Sequence, residues 1–480
     1  MSRVLATEAE VLALSPDAAS SKAAKGLQSI SKWPTVGSNE VAAWGECQGS
    51  GSKPYQTQVD LSGPSFKCSC PSRKFPCKHG LALMLLRAAG QVTEGGESPE
   101  WVNSWLASRQ GKAEKKEAKA AEAAAAPPPS PEAIAKREDK RWDKIAAGMA
   151  EVSLWSQDMV RHGLANLAGD AQARQQWNNM AARMVDAQAP GMSARIKEAS
   201  DVVDSHPGWP KDLLTHLAHW QLLVDAVQRR ETLPAPIKAD VMAALGWPMD
   251  KAEVQAAGAA VADEWLVVGL RMIEREGRLL ERRVWLQGLQ TGRMALVLDY
   301  SQGGRGFESA WLQGRVYRCG LHFYPSNAPL RAMAANGNAE ALLEQGGQTM
   351  SRAKFNAPLT ALAQRVAANP LQMMQPLWCG KASLQVIDNQ WLVAWPQSDE
   401  GAAEAEKPVQ SAPVPAAISD SEAWRLLALT GGAPMQLFGE WEQGRWRLLS
   451  AWQVQNAAPA DDAEAAQALH CIWQNRGEML

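Results

Sequence analysis

No stretch of this 480-residue chain approaches the ~18 consecutive apolar residues that a membrane-spanning helix needs; the best candidate is the short LALMLL at Leu81–Leu86. A secretory leader is not legible either. The N-terminal MSRVLATEAEVLAL mixes acids into its apolar residues and has no charged start, long apolar stretch or small-residue cleavage site, so a cytoplasmic protein is expected. An excess of one charge is also missing. Lys and Arg number 49 against 51 Asp and Glu, a net charge of −2, which excludes a globally basic nucleic-acid binder and requires any basic surface to be local. The chain contains no Gly-x-Ser-x-Gly, no His-Glu-x-x-His and no phosphate loop, since Gly49-Ser-Gly-Ser-Lys53 has the wrong spacing and reads as a turn. The expectation is a non-enzymatic protein. Phe and Tyr are scarce, 6 and 4 residues against 21 Trp, a bias that composition alone does not explain.

Seven cysteines are an odd number, and in a reducing compartment closely spaced thiols point to metal or catalysis before disulfides. The length predicts about three folded units at roughly 150 residues each. GKAEKKEAKAAEAAAAPPPSP, from Gly111 to Pro131, reads as a linker stiffened by its prolines, and GAAEAEKPVQSAPVPAA, from Gly401 to Ala417, as a second. Between them the periodicity changes. Trp142, Ile145, Met149, Val152 and Trp155 form one helical stripe; Trp177, Met180, Ala181 and Met184 a second; Leu213, Leu217, Trp220 and Val227 a third. Pro234 opens a fourth helix. EWLVVGLRMIEREGRLLERRVWLQGL then reads as a hairpin around Glu276-Gly277, followed by strands in MALVLDY and RVYRCGLHFY, a helix over Pro358–Ala368, and short strands joined at Asp388-Asn389. The last block has one helix and a hairpin turning at Glu442-Gln443-Gly444.

The expected fold class is α+β multidomain. Its parts are an N-terminal zinc module (1–107), a linker (108–131), a helical region (132–250), a β-rich region of antiparallel hairpins (251–400), a second linker (401–417) and a small α+β C-terminal piece (418–480). No internal repeat with a fixed period is legible.

The chemistry concentrates in FKCSCPSRKFPCKHGLALMLL, Phe66 to Leu86. Cys68, Cys70, Cys77 and His79 supply three thiols and an imidazole, a donor set that suits tetrahedral Zn²⁺ and leaves no position for water or substrate. The expected cofactor is one structural zinc ion. Residues two apart on an extended segment point the same way, so Cys68 and Cys70 chelate together. The run after His79 has helical composition, placing Cys77 and His79 at or just before a helix N-terminus whose dipole favours thiolate. Ordinary buried cysteines and an iron–sulfur centre are the competing readings; a redox pair would need Cys-x-x-Cys, which is absent. His216 and His219, three apart on a helix, are a second candidate pair, more often packing or surface residues. Cys47, Cys319, Cys379 and Cys471 are isolated and read as inert.

Cys-x-Cys…Cys-x-His followed by an apolar helix resembles the SWIM zinc finger, and the segment from Trp44 through Leu83 resembles the long bacterial proteins of that family. The resemblance implies a ββα zinc module with strands near Glu40–Gln48 and Tyr55–Asp60, used for DNA binding or protein interaction, with no catalytic residues. Family members occur in transposases, Swi/Snf-type helicases, kinases and recombination factors, and the long bacterial type is commonly encoded beside MoxR-type AAA ATPases and von Willebrand A-domain proteins. Between residues 20 and 90, nine basic side chains face three acidic ones. Lys67, Arg73, Lys74 and Lys78 cluster around the ligands with Phe75 among them, a contact surface for phosphate or for a protein partner. Cations that merely stabilise the thiolates are an equally weighted reading. The expected function is a zinc-binding adaptor for protein partners of the ATPase-linked kind, with nucleic-acid binding by this basic loop as the alternative.

Overall fold

The computed structural model describes residues 7–111, 130–395 and 413–475, apart from 16–17, 50–52, 62–64, 73–75, 170, 276–278, 303–306, 308–310, 336–339, 343–347, 351–357, 443 and 456–466. Most of the first linker and part of the second lie outside the described residues.

In the N-terminal module the two expected strands appear as β2 (Ala42–Cys47) and β3 (Tyr55–Asp60), flanked by β1 (Thr35–Ser38) and β4 (Ser65–Cys68) in one antiparallel sheet. Helices α1 (Glu8–Ala13), α2 (Ala18–Lys25) and α3 (Lys78–Ala88) build the main core with it. A helical stretch over residues 100–111, α4, brings Trp101 and Val102 against Ala42 and Trp44 in a separate cluster. The ββα unit is thus enlarged by two strands and a second cluster. The run LALMLL is buried throughout in α3, because α1 and α2 pack against that helix as the sheet does.

The middle region packs α5 (Pro131–His162), α6 (Ala171–Asp186), α7 (Pro190–Val202), α8 (Trp209–Gln228) and α9 (Ala235–Leu245) around one core, with a short α10 (Lys251–Ala256) after them. Pro131, the last residue of the expected linker, opens α5, and Ser130 Oγ caps it by accepting the Ala133 N–H. The three predicted stripes converge. Trp155, Trp177 and Trp220 meet with ring centroids 4.8 to 6.0 Å apart, edge-on or stacked. Offset and edge-to-face contacts of this kind add to the area an indole buries.

The remaining strands form two barrels. In the first, β5 (Val261–Arg275), β6 (Leu279–Gly288), β7 (Met294–Gln302), β8 (Val316–Phe323) and β9 (Arg331–Ala334) close a ring: β5–β6, β6–β7, β5–β8 and β8–β9 run antiparallel and β7–β9 parallel. Strand β10 (Glu340–Leu342) adds to β8, and β11 (Gln348–Met350) belongs to the other sheet. After α11 (Pro358–Ala368), the second barrel is built from β12 (Met374–Ile387), β13 (Gln390–Ala394), β14 (Val414–Ala417), β15 (Met435–Glu442) and β16 (Arg445–Gln455), with α12 (Asp420–Thr430) between its third and fourth strands. Its pairings repeat the first barrel's strand for strand, with β14–β16 as the parallel pair. Strand β17 (Gln467–Gln474) extends it. Trp265, Val267, Val284 and Leu286 belong to one cluster of the first barrel and their neighbours Leu266, Val268 and Trp285 to another, the alternation that a strand imposes.

The C-terminal piece is therefore not a separate unit. Strand β14 lies inside the stretch expected to be a linker, and residues on both sides of it share one sheet. Composition reports that a segment is rich in Ala and Pro; it does not report a partner strand far along the chain. The last hairpin turns on Gln443 and Gly444 alone, since Glu442 pairs with Arg445, and Gly444 takes the positive φ (75°) that such a turn needs. The Asp388-Asn389 turn falls where expected, both residues having positive φ (47° and 60°).

Bundle and barrels are joined by specific contacts. Trp378, Phe438, Leu449 and Trp452 of the second barrel pack on Leu266, Trp285 and Leu296 of the first. Glu440, fully buried, accepts hydrogen bonds from Arg271 Nη1 (2.8 Å), Arg283 Nη1 (3.3 Å) and Trp285 Nε1 (2.8 Å) across that interface. Leu371, just beyond α11, is buried in the bundle core, where its carbonyl accepts from Arg195 Nη2 at 2.8 Å. Asn369 donates to Asp240 Oδ1 at 2.7 Å.

Candidate metal centre

Strand β4 delivers Cys68 at its end, and the ladder continues one residue further through Ser69, whose N–H donates to the Gln56 carbonyl at 2.9 Å. Cys70 follows directly. On the other side Cys77 is the N-cap of α3, its sulfur accepting the Gly80 N–H at 3.5 Å, and His79 is the second residue of that helix. The strand end and the helix start thus each supply a Cys-x-ligand pair, as the spacing predicts.

The three sulfurs and the imidazole nitrogen all lie within 4.8 Å of one another. His79 presents Nδ1, 3.7 Å from Cys68 Sγ. Tetrahedral zinc with Zn–S bonds of about 2.3 Å would separate its sulfurs by about 3.8 Å, so the spacing fits the ion. The donor set fits as well: three soft thiolates and an imidazole fill every tetrahedral position. Burial works against a charge on His79, yet hydrogen bonding to Cys68 and Cys70 outweighs it and raises the imidazole to about 9. Hydrogen bonds from Cys68 and Cys77 hold Cys70 far down as a thiolate, while Cys77 is held up by the sulfurs of Cys68 and Cys70.

Supporting side chains fix the ligands. Tyr55 packs on His79 with centroids 4.9 Å apart, and Thr57 Oγ1 lies 3.2 Å from Cys68 Sγ. A Cβ on Gly80 would come within 2.8 Å of Phe66 Cδ1, so glycine lets the helix start close against β4. Neither Tyr55 nor Thr57 stands out in the sequence; only the alternation along β3 hints that they face the ligands. Lys67 and Lys78 are exposed beside the cluster, whereas Arg73, Lys74 and Phe75 lie outside the described residues. Cys47 is buried on β2, its thiol pushed up by burial and then by Cys68, and it does not join the ligand group. Burial also pushes up Cys319, to about 11, Cys471, to about 12, and Cys379. His216 and His219 lie on α8, and among the described residues no third side chain joins them at ligand distance.

Residues 55–88 match the SWIM zinc finger family, the span that holds all four ligands. The chain carries a SWIM zinc finger. Residues 140–245 match the SWIM-associated four-helix bundle domain, the region of α5 to α9. No curated protein and no solved structure matches the chain. With the ligand geometry, the SWIM finger holds one structural zinc ion on Cys68, Cys70, Cys77 and His79. Among the described residues, no helix is long and apolar enough to cross a membrane.

Proposed function

We propose that this protein is a non-catalytic adaptor that engages a protein partner through its SWIM finger. The observation that carries this reading is the closure of the metal site: four protein donors leave the ion no coordination position for chemistry, so zinc serves to hold a surface in shape. Lys67 and Lys78, exposed next to the ligands, belong to that surface. The family resemblance points to an ATPase-linked assembly, a MoxR-type AAA ATPase or a von Willebrand A-domain protein, as the partner. Co-elution of the zinc-loaded full chain with the purified candidates tests it. Complex formation that survives in wild type and weakens when Lys67→Glu and Lys78→Glu are combined, with zinc content unchanged, supports the adaptor role. The alternative, nucleic acid bound by the basic loop, would give binding that falls steeply with salt and disappears in the same double variant. Hydrolysis or transfer activity that survives zinc removal would overturn the non-catalytic reading.

A further inference from the structure

The two barrels have the strand order 1-2-3-5-4 closing on 1, with strands 3 and 5 parallel, which is the Greek-key barrel of the OB type. Barrels of this topology present a ligand face formed by strands 2 and 3 and by the loops between strands 1 and 2 and between strands 4 and 5. Fold alone does not assign function, so the face itself has to argue for a ligand.

In the first barrel that face is occupied. Trp285 and Leu296, from its second and third strands, pack against the second barrel. In the second barrel the corresponding elements line a cleft of about 760 Å³ instead. Asn389 to Trp391 come from its first loop, Pro415 to Ala417 from its third strand, and Trp441, Gly444 and Arg445 from its last hairpin; Lys211, His216 and His219 of α8 form the opposite wall.

The groups in this cleft are set up unequally. His206 is satisfied on both nitrogens, by the Gly208 N–H at 3.1 Å and by Asp212 Oδ2 at 3.1 Å. Asp212 also faces Arg445 Nη2 at 3.9 Å, and Asp420 accepts the Trp391 Nε1–H at 2.7 Å. Both acids are therefore engaged. His219 is bound through Nδ1 to the Thr215 carbonyl, which leaves its Nε2 as an acceptor. His216 is only 5% exposed, and its Nε2 has no hydrogen-bond partner. A buried polar atom left open costs ~1–3 kcal/mol unless something meets it. Lys211 and Arg445 supply positive charge at the rim, and half-buried Trp441 supplies a ring.

We propose that this cleft binds a short single-stranded nucleic acid, with phosphate at Lys211 and Arg445, a base against Trp441 and a hydrogen bond to His216. Phosphate-directed cations beside an aromatic platform are how sequence-tolerant single-strand sites are built. The cleft is distinct from the SWIM finger and does not depend on its proposed role.

The test is fluorescence anisotropy on the zinc-loaded full chain with labelled oligo-dT and oligo-U of about six nucleotides, in competition with unlabelled maltohexaose. The expected result is saturable binding of either oligonucleotide, weakened about ten-fold or more by Trp441→Ala and by Lys211→Ala combined with Arg445→Ala. His216→Gln should weaken it as well. Lys211 is exposed, so the cation variant separates loss of binding from loss of fold, which far-UV circular dichroism checks for each protein. No binding of either oligonucleotide overturns the proposal. So does binding displaced by maltohexaose, which would assign the face to oligosaccharide. Binding unchanged by the cleft variants but lost in Lys67→Glu/Lys78→Glu would move the nucleic acid to the finger and overturn it equally.

Discussion

At the scale of single residues, the zinc ligands and the buried carboxylates behave differently. Replacing Cys77 with Ala removes a ligand, leaves the ion an open position and removes the acceptor of the Gly80 N–H at the start of α3. Because metal binding and folding are coupled in such modules, Cys77→Ala should reduce zinc content from about one per chain to near zero, measured by atomic emission, with loss of ordered structure in the first ~110 residues seen by hydrogen exchange. Retention of both would contradict a structural zinc. Asp263 holds together the turn between β6 and β7. Burial pushes its carboxyl up, but the Thr291 hydroxyl and N–H and the Gln290 and Glu264 N–H groups outweigh that and bring it below the usual carboxylate range. A carboxyl lowered in the folded state stabilises above its unfolded pKa of about 3.9, and the contribution disappears as pH falls through the folded value. Asp263→Asn should therefore cost ~1–3 kcal/mol near neutral pH, with the gap from wild type closing in strongly acidic buffer. Urea denaturation at a series of pH values reads this directly; a gap that widens on acidification would refute it.

At the scale of elements, the abundance of tryptophan acquires a role. Trp220 of α8 is 1% exposed and touches both Trp155 of α5 and Trp177 of α6, so one ring connects three helices. Trp311, 2% exposed, belongs to the core cluster of the first barrel against Tyr317, in a connection between the third and fourth strands where the second barrel has α12. Large flat rings fill gaps between elements that smaller apolar residues would leave partly empty. Trp220→Ala should cost ~3–5 kcal/mol and lower the unfolding transition of the helical region, followed by far-UV circular dichroism, while zinc content stays unchanged. A drop in zinc content would mean that the finger depends on the bundle.

At the scale of the whole molecule, the second barrel is assembled from chain on both sides of residues 396–412. Strand β14 hydrogen-bonds to β13 before that stretch and to β16 after it, and β12 pairs with β15. A protease site inserted between residues 400 and 410 should, once cut, leave two fragments that co-elute on gel filtration and separate only in denaturant. Fragments that separate in native buffer would contradict the shared barrel.

Much of this was legible in local pattern. The four zinc ligands follow from spacing because the two chelating pairs lie within twelve residues, and the bundle helices follow from apolar stripes because helix periodicity is written into neighbouring residues. The sequence likewise carried the Pro358–Ala368 helix and the Asp388-Asn389 turn. Strand partnership was not legible. β5 pairs with β8 across some fifty residues and β14 runs parallel to β16, and no residue in either strand names its neighbour. The repeat of one barrel topology twice, the burial of Glu440 between the barrels and the meeting of His216 with Trp441 across a cleft were decided only when distant segments packed. Local chemistry fixed the metal site, and long-range hydrogen bonding and apolar burial fixed everything that faces it from elsewhere in the chain.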